Sequence, residues 1–518
     1  MSSREAVRRL RAYQAGKPLP CGETKRIHIV DDKDLLIMAF VRMGGESRPW
    51  GIAFGNPGSK PKIVTIPEAR NRDLVAEMVV EIGSMLLKNL RQVDYTGTEF
   101  NDWNDLAPLK QIWMPNATHL DMLHHLAFAY SWTKYGGGNR QILNSIGRAC
   151  GWIFREAQRP GQMRVVVATD ALKQSYTFPT ENVRQGHLGF LMSWLSSRGG
   201  YERRLTEAIE AERIPIATSL DPALERDDIA PLVNKWGDEK DESRKKRLAS
   251  KIRKILKAEL KARWELTEKA VTHLRNDSRR ENSGLAELVD ESLKEQWYQF
   301  NRLELRRNSD EDGPAFFPSV ETDRHPAAAA ARYQVHQASA ELVQGLLVHD
   351  DSELLAEAII GGDAFRGEIL SVNDVGNNRS TRPVWLIHDS ADRQLRLRVG
   401  NRVACVGYRK RQGVITDIRQ DDEGQVEIEV EITGRKTNRI PGPGIHAIPP
   451  VDQDLVGEIA AFVAAPADGI SRTKSFRMWN NDGPGAWITH RPPGGVRAQL
   501  HEDDGDAVTT ITEALEGR

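Results

Sequence analysis

The sequence predicts a multidomain α+β chain: an N-terminal α+β domain, a helical middle containing a long antiparallel helical hairpin, and a small β-barrel towards the C-terminus. Three observations carry this. The 518 residues exceed what one hydrophobic core serves, so roughly three or four domains are expected. Apolar residues recur at steps of three and four through the middle of the chain, then alternate beyond Phe365. Between the two regimes NSDEDGPAFFPSVETDRHP, residues 308–326, concentrates proline, glycine and acid, which makes it a linker.

In order along the chain, residues 1–100 form the α+β domain. RIHIV, LLIMAFVRM, WGIAFG and KIVTI are strands separated by turn-rich DDKD and GGESRP. NRDLVAEMVVEIGSMLLKNL then places Leu74, Val75, Met78, Val79, Ile82, Leu86 and Leu90 on one helical face that packs across the sheet. Residues 101–235 are mainly helical. THLDMLHHLAFAYSWTKY opens with Thr118 and Asp121 at capping-box spacing, QILNSIGRACGWIFREA follows a glycine run, and MRVVVAT is a short strand or buried segment between helices.

Residues 236–307 are the clearest unit. Leu248, Ile252, Ile255, Leu256, Leu260, Trp264, Val271 and Leu274 fall on one side of a first helix. Leu285, Leu288, Val289, Leu293, Trp297 and Phe300 fall on one side of a second, across a polar NDSRRENSG turn, which predicts an antiparallel hairpin. After the linker, residues 327–362 are helical and 363–450 are β. Six strands are expected there: FRGEILSV, RPVWLIHD, QLRLRV, NRVACVGY, QGVITDIR and QVEIEVEI. Residues 451–518, rich in proline and glycine, are a C-terminal appendage.

The formal charge is −1, yet residues 244–263, RKKRLASKIRKILKAELKAR, hold ten basic side chains and one acid, Glu259. At about 100° per residue, Arg247, Lys251, Lys254, Lys257 and Lys261 lie opposite the apolar seam as a stripe of about 21 Å. Such a line matches the phosphates of a nucleic acid, whose counterions its cations release. Arg263 sits nearer the seam and does not fit the stripe. The other occupants of such a face are solvent, an acidic protein surface or the chain's own acidic segments, and a membrane is disfavoured because the apolar side is already used.

In the barrel, LRVGNRVACVGYRKRQGVITDI, with Gly400, Val403, Gly407, Gly413, Val414 and Ile418, resembles the KOW or SH3-like strand pair of ribosomal and transcription-associated proteins. That resemblance implies contact between the loop Tyr408, Arg409, Lys410, Arg411 and nucleic acid or a protein; a tyrosine beside three cations suits stacking with phosphate contact.

Catalytic motifs fail on inspection. His119, Asp121, His124 and His125 crowd one helix but lack an obvious third ligand at metal spacing. GGGNRQILNSIGR lacks the Lys-Ser or Lys-Thr of a P-loop, and RVVVATDAL is a Walker B imitation with no Walker A beside it. Asp94, Glu99, Asp102 and Asp105 cluster, but without a strand-borne acid followed by E-x-K. No G-x-S-x-G is present. Cys21, Cys150 and Cys405 are odd in number and far apart, arguing against disulfides and zinc.

The N-terminus lacks a signal peptide's apolar centre and no apolar run spans a bilayer, so the expected setting is the cytoplasm. The expected function is that of a non-enzymatic nucleic-acid-binding accessory or scaffold subunit in a larger DNA- or RNA-handling assembly with other protein subunits, without cofactor, metal or membrane. A prokaryotic defence or mobile-element system is a context for it that no residue encodes. The alternative is an adaptor docking an acidic protein partner, and the third is a metal-dependent nuclease using the 94–105 acids.

Overall fold

The computed structural model describes residues 3–90, 110–181, 184–289, 292, 336–337, 339–340, 342–343, 345–377, 380–389, 395–420, 425–433 and 455–465. Helix and sheet are mixed, and the C-terminal region holds a closed six-stranded antiparallel barrel.

The first sheet has five strands: β1 (Leu35–Arg42), β2 (Pro49–Gly55), β3 (Lys62–Thr65), β4 (Gln111–Met114) and β5 (Val165–Val167). Their spatial order is β3-β2-β1-β4-β5. The β1–β2 and β2–β3 pairs are antiparallel, while β1–β4 and β4–β5 are parallel. The sheet therefore draws on both sides of residue 100. The first seven residues of β1, LLIMAFV, are all buried, as a central strand covered on both faces requires.

The helices are α1 (Ser3–Ala15), α2 (Arg72–Leu90), α3 (Ala117–Tyr130), α4 (Arg140–Ala157), α5 (Ala168–Ser175), α6 (Leu188–Ser196), α7 (Tyr201–Glu212), α8 (Ala230–Asp238), α9 (Glu242–Arg275) and α10 (Ser352–Ile360). One continuous core from Ile27 to Leu274 takes side chains from the sheet, from α2 to α6 and from α9.

Three local expectations are corrected here. RIHIV is not a strand, because its carbonyls are taken by side chains instead of a ladder: His28 O accepts from Gln111 Nε2 at 2.9 Å and Val30 O from Arg275 at 3.0 Å. The N-cap of α3 is Asn116, whose side chain accepts from Thr118 N at 3.2 Å, so Thr118 and Asp121 form no capping box. Asn116→Ala is expected to cost about 1 kcal/mol, read as a shift in the urea midpoint with unchanged slope.

The third correction concerns the hairpin. The apolar seam of α9 (Ile252, Leu256, Leu260, Trp264, Val271) is buried in the sheet core, with Leu260 Cδ1 lying 2.8 Å from where a Cβ would stand on Gly51 of β2. Leu285 and Leu288 instead belong to a separate cluster with Leu346. A sheet offers the seam a wider apolar surface than a second helix would. Leu293, Trp297 and Phe300 lie outside the described residues.

The barrel runs β6 (Ala364–Asn377), β7 (Ser380–Asp389), β8 (Arg402–Cys405), β9 (Tyr408–Gln420), β10 (Val426–Ile432) and β11 (Ile459–Ala464), closed in the order β6-β7-β10-β9-β8-β11. Its sixth strand is IAAFVA, from the segment assigned to the appendage, whereas the described part of QLRLRV is not a strand. Phe365, Trp385, Ile387, Val430 and Phe462 fill the interior, with Phe365 and Phe462 stacked at 5.4 Å.

Candidate nucleic-acid interface

The long helix α9 is built to stay in one orientation. Asp241 caps its N-terminus by accepting from Arg244 N at 2.7 Å, and Arg275 at its far end reaches Asp32 at 2.5 Å and Val30 O. Midway, Glu268 accepts from Gly58 N in the β2–β3 turn at 2.7 Å.

The strongest anchor is Arg263, whose side chain is fully buried. Its Nε donates to Ala217 O at 2.9 Å, and its terminal nitrogens donate to Ser219 O at 3.1 Å, Glu259 O at 2.9 Å and the Glu259 carboxylate at 2.8 Å. Burial lowers the guanidinium's pKa and Glu259 opposes that shift.

This arrangement decides the electrostatics of the opposite face. The one acid within 244–263 is paired with the one fully buried cation of that stretch, so it does not neutralise the stripe. Arg247, Lys251, Lys254, Lys257 and Lys261 are all exposed. Lys261 meets Glu265 at 3.4 Å, an exposed pair worth at most about 1 kcal/mol. Arg247, Lys251, Lys254 and Lys257 have no ion pair among the described residues. Lys245, outside the stripe, lies over the Trp236 ring of α8 at 4.9 Å.

The second predicted contact lies on a strand and not on a loop. Residues 408–411 are not a loop: the turn is Val406 and Gly407, the latter at φ +83°, and Tyr408 already pairs with Cys405 as the first residue of β9. Arg411 stacks over the Trp385 ring at 4.7 Å, so its guanidinium serves the barrel itself. Nearby barrel charges are also paired, with Arg419 meeting Glu427 at 3.3 Å and Glu429 at 2.8 Å and Arg382 meeting Glu431 at 2.6 Å.

The histidine-rich helix does not converge on a metal. His119 is buried, with Nδ1 accepting from Phe40 N and Nε2 facing Ile216 O, each at 3.0 Å, and burial drives its pKa down to about 3. His124 stacks on Phe154 at 4.5 Å. No group of three or more His, Cys, Asp or Glu side chains among the described residues is placed to hold a metal, and Asp94, Glu99, Asp102 and Asp105 lie outside those residues. Asp170 is paired with Lys173 at 2.7 Å. The three cysteines are unpaired and buried, and no described helix is long and apolar enough to cross a membrane.

Two side chains escaped the sequence reading. Phe128 and Trp132 are 81% and 53% exposed. The signal was available, because the buried seam of α3 is Met122, Leu123, Leu126, Ala127 and Tyr130, which leaves Phe128 off it.

The fold and this face together describe a mixed sheet-and-helix protein that carries a rigid cationic rod and a small closed barrel. Comparison with protein-family models, curated proteins and solved structures finds no match to the chain.

Proposed function

We propose that this chain binds nucleic acid through the outward face of α9, as a non-enzymatic accessory or scaffold subunit of a DNA- or RNA-handling assembly. One observation carries the proposal: five exposed cations spaced over about 21 Å of one rigid helix, with Glu259 paired to Arg263 and Lys261 alone of the five meeting an acid, Glu265. Arg247, Lys251, Lys254, Lys257 and Lys261 position phosphates and read no sequence.

Binding of a generic duplex across a salt series tests it. Five phosphate contacts give a log–log slope of about −4 to −5. The triple variant K254E/K257E/K261E should lose binding while keeping its helical circular dichroism, since all three side chains are exposed. Affinity retained by that variant would overturn the proposal, and binding of an acidic protein in place of the duplex would establish the adaptor alternative.

A further inference from the structure

The free face of α9 does not end at Lys261. At about 100° per residue, Glu265, Lys269, Thr272 and Asn276 fall within about 40° of Arg247, in line with the cationic stripe, and continue it for about 22 Å towards the end of the helix. There the face becomes one wall of a groove of about 820 Å³. Met192, Ser193 and Ser196 of α6 line the other side, together with Ile214 and Ile216 just after α7. That volume is in the range of about 300–1,000 Å³ usual for ligand sites.

The chemistry of the face changes where the groove begins. Up to Lys261 it is a row of exposed cations, whereas the charged residues of α9 at the groove are Glu265, Glu268 and Lys269. Both carboxylates are engaged, Glu265 with Lys261 at 3.4 Å and Glu268 with Gly58 N at 2.7 Å, and neither welcomes a phosphate. Met192, Ile214 and Leu266 supply apolar walls, while Ser193, His273 and Asn276 add a hydroxyl, an imidazole and an amide. Burial lowers the pKa of His273, with Asp277 opposing, so the ring is neutral at pH 7 and offers one donor and one acceptor. A ligand fitted to the whole face is therefore anionic along its first part and uncharged, with polar edges, along its second. Nucleic acid has both parts where a strand leaves a duplex: phosphates follow the cations, and unpaired bases offer flat faces and hydrogen-bonding edges. A blunt duplex fills only the stripe, because its base faces are hidden. A protein helix would use the apolar walls but, with its backbone bonded internally, would leave the amide, imidazole and hydroxyl idle.

Building on the assignment of the stripe to nucleic acid, we infer that the groove between α6 and α9 receives unpaired bases at a junction of duplex and single strand, with the duplex lying on the stripe. Met192 and Leu266 pack against the base faces, and Ser193, His273 and Asn276 meet the base edges. The substrate is thus a tailed duplex in preference to a blunt one. The α6 wall is separate from the stripe, so the two surfaces fail separately.

The test is anisotropy titration of the full chain with a labelled blunt duplex of about 20 base pairs and with the same duplex carrying an oligo(dT) tail of about five nucleotides at its 3′ or 5′ end. A tail of one polarity should tighten binding at least about fivefold. S193W, which fills the groove, should erase that gain and keep the blunt-duplex affinity within about twofold of native. N276A, a change at an exposed position, should cut the gain at least about twofold. K254E/K257E/K261E should lose blunt and tailed duplexes alike. Equal native affinity for blunt and tailed duplexes overturns the groove assignment and leaves the stripe standing, as does a gain that survives both S193W and N276A. Failure of the native chain to bind either duplex overturns the stripe and the groove with it, and binding of an acidic amphipathic helical peptide that S193W abolishes would then give both surfaces to a protein partner.

Discussion

Replacing Arg263 with methionine is expected to destabilise the sheet–helix core by about 3–5 kcal/mol, read as a lowered urea midpoint and as faster hydrogen exchange at Thr218. The methionine keeps most of the stem's volume, so the loss is one of polar partners. Two carbonyls, Ala217 O and Ser219 O, lose the guanidinium donor, Glu259 O keeps only its bond within α9, and the Glu259 carboxylate loses its cation. Each unsatisfied buried group costs about 1–3 kcal/mol, although Glu259 is partly exposed and recovers some hydration. Arg263→Lys should fall between the two, because an ammonium on a flexible stem cannot fork to Ala217 O and Ser219 O together. A destabilisation under about 0.5 kcal/mol for Arg263→Met would show that the segment 216–219 is held by its other contacts. These are considerable: Arg42 N donates to Thr218 O at 2.8 Å and Thr218 N to Thr118 Oγ1 at 3.0 Å.

The same substitution bears on function through charge. Freed from Arg263, Glu259 becomes an unpaired carboxylate on the helix that carries the stripe, two residues from both Lys257 and Lys261. The affinity of the cationic face should then drop modestly with its salt slope nearly unchanged, since no phosphate contact is removed.

The period of α9 was legible because helical geometry ties exposure of one face to burial of the other; assigning Ile252, Leu256, Leu260 and Trp264 to a seam also assigned Lys251, Lys254, Lys257 and Lys261 to solvent. The seam's partner was not legible. Sequence-adjacent elements are the best first guess for packing partners, and residues 285–300 carry a matching stripe. The true partner is a sheet some two hundred residues earlier, whose unbroken apolar run LLIMAFV signals a strand covered on both faces without saying by what.

The barrel shows a related limit. Alternation in QLRLRV reports burial and not pairing: Leu395 and Leu397 pack on the barrel interior, while Arg396 N donates to Gly362 O and Arg398 N to the Asn401 side chain, outside the strand ladders. Counting strands therefore gave the right number with one wrong member. The loop expected at 408–411 is a strand for a simpler reason, since the turn closes in two residues, Val406 and Gly407.

Lowering the pH from about 6.5 to 3 is expected to remove roughly 4 kcal/mol of stability through His119 alone. In the folded chain Nδ1 accepts from Phe40 N, so Nε2 carries the single proton and gives it to Ile216 O; a second proton on Nδ1 would point at the Phe40 N–H donor. Burial comes first in holding the pKa down to about 3, and the positive charge of Arg263 adds to it. Above about pH 6.5 the ring is neutral in both folded and unfolded chains and contributes no slope. Below that, the unfolded chain takes up a proton that the folded one refuses until about pH 3, so stability falls by about 1.4 kcal/mol per unit across the window. His125, His187 and His273 are also held down by burial and steepen the same limb. His119→Gln, whose amide can still offer an acceptor and a donor, should therefore flatten the stability–pH slope between 6 and 4 by one proton and leave the other histidines' share intact. Unchanged slopes would mean that the 216–219 segment opens to admit the proton, separating His119 from Arg263. Conversely, if both hold that segment, the Arg263→Met and His119→Gln effects are non-additive, because Arg263 and His119 donate to neighbouring carbonyls of one short strap between β1, α3 and α9.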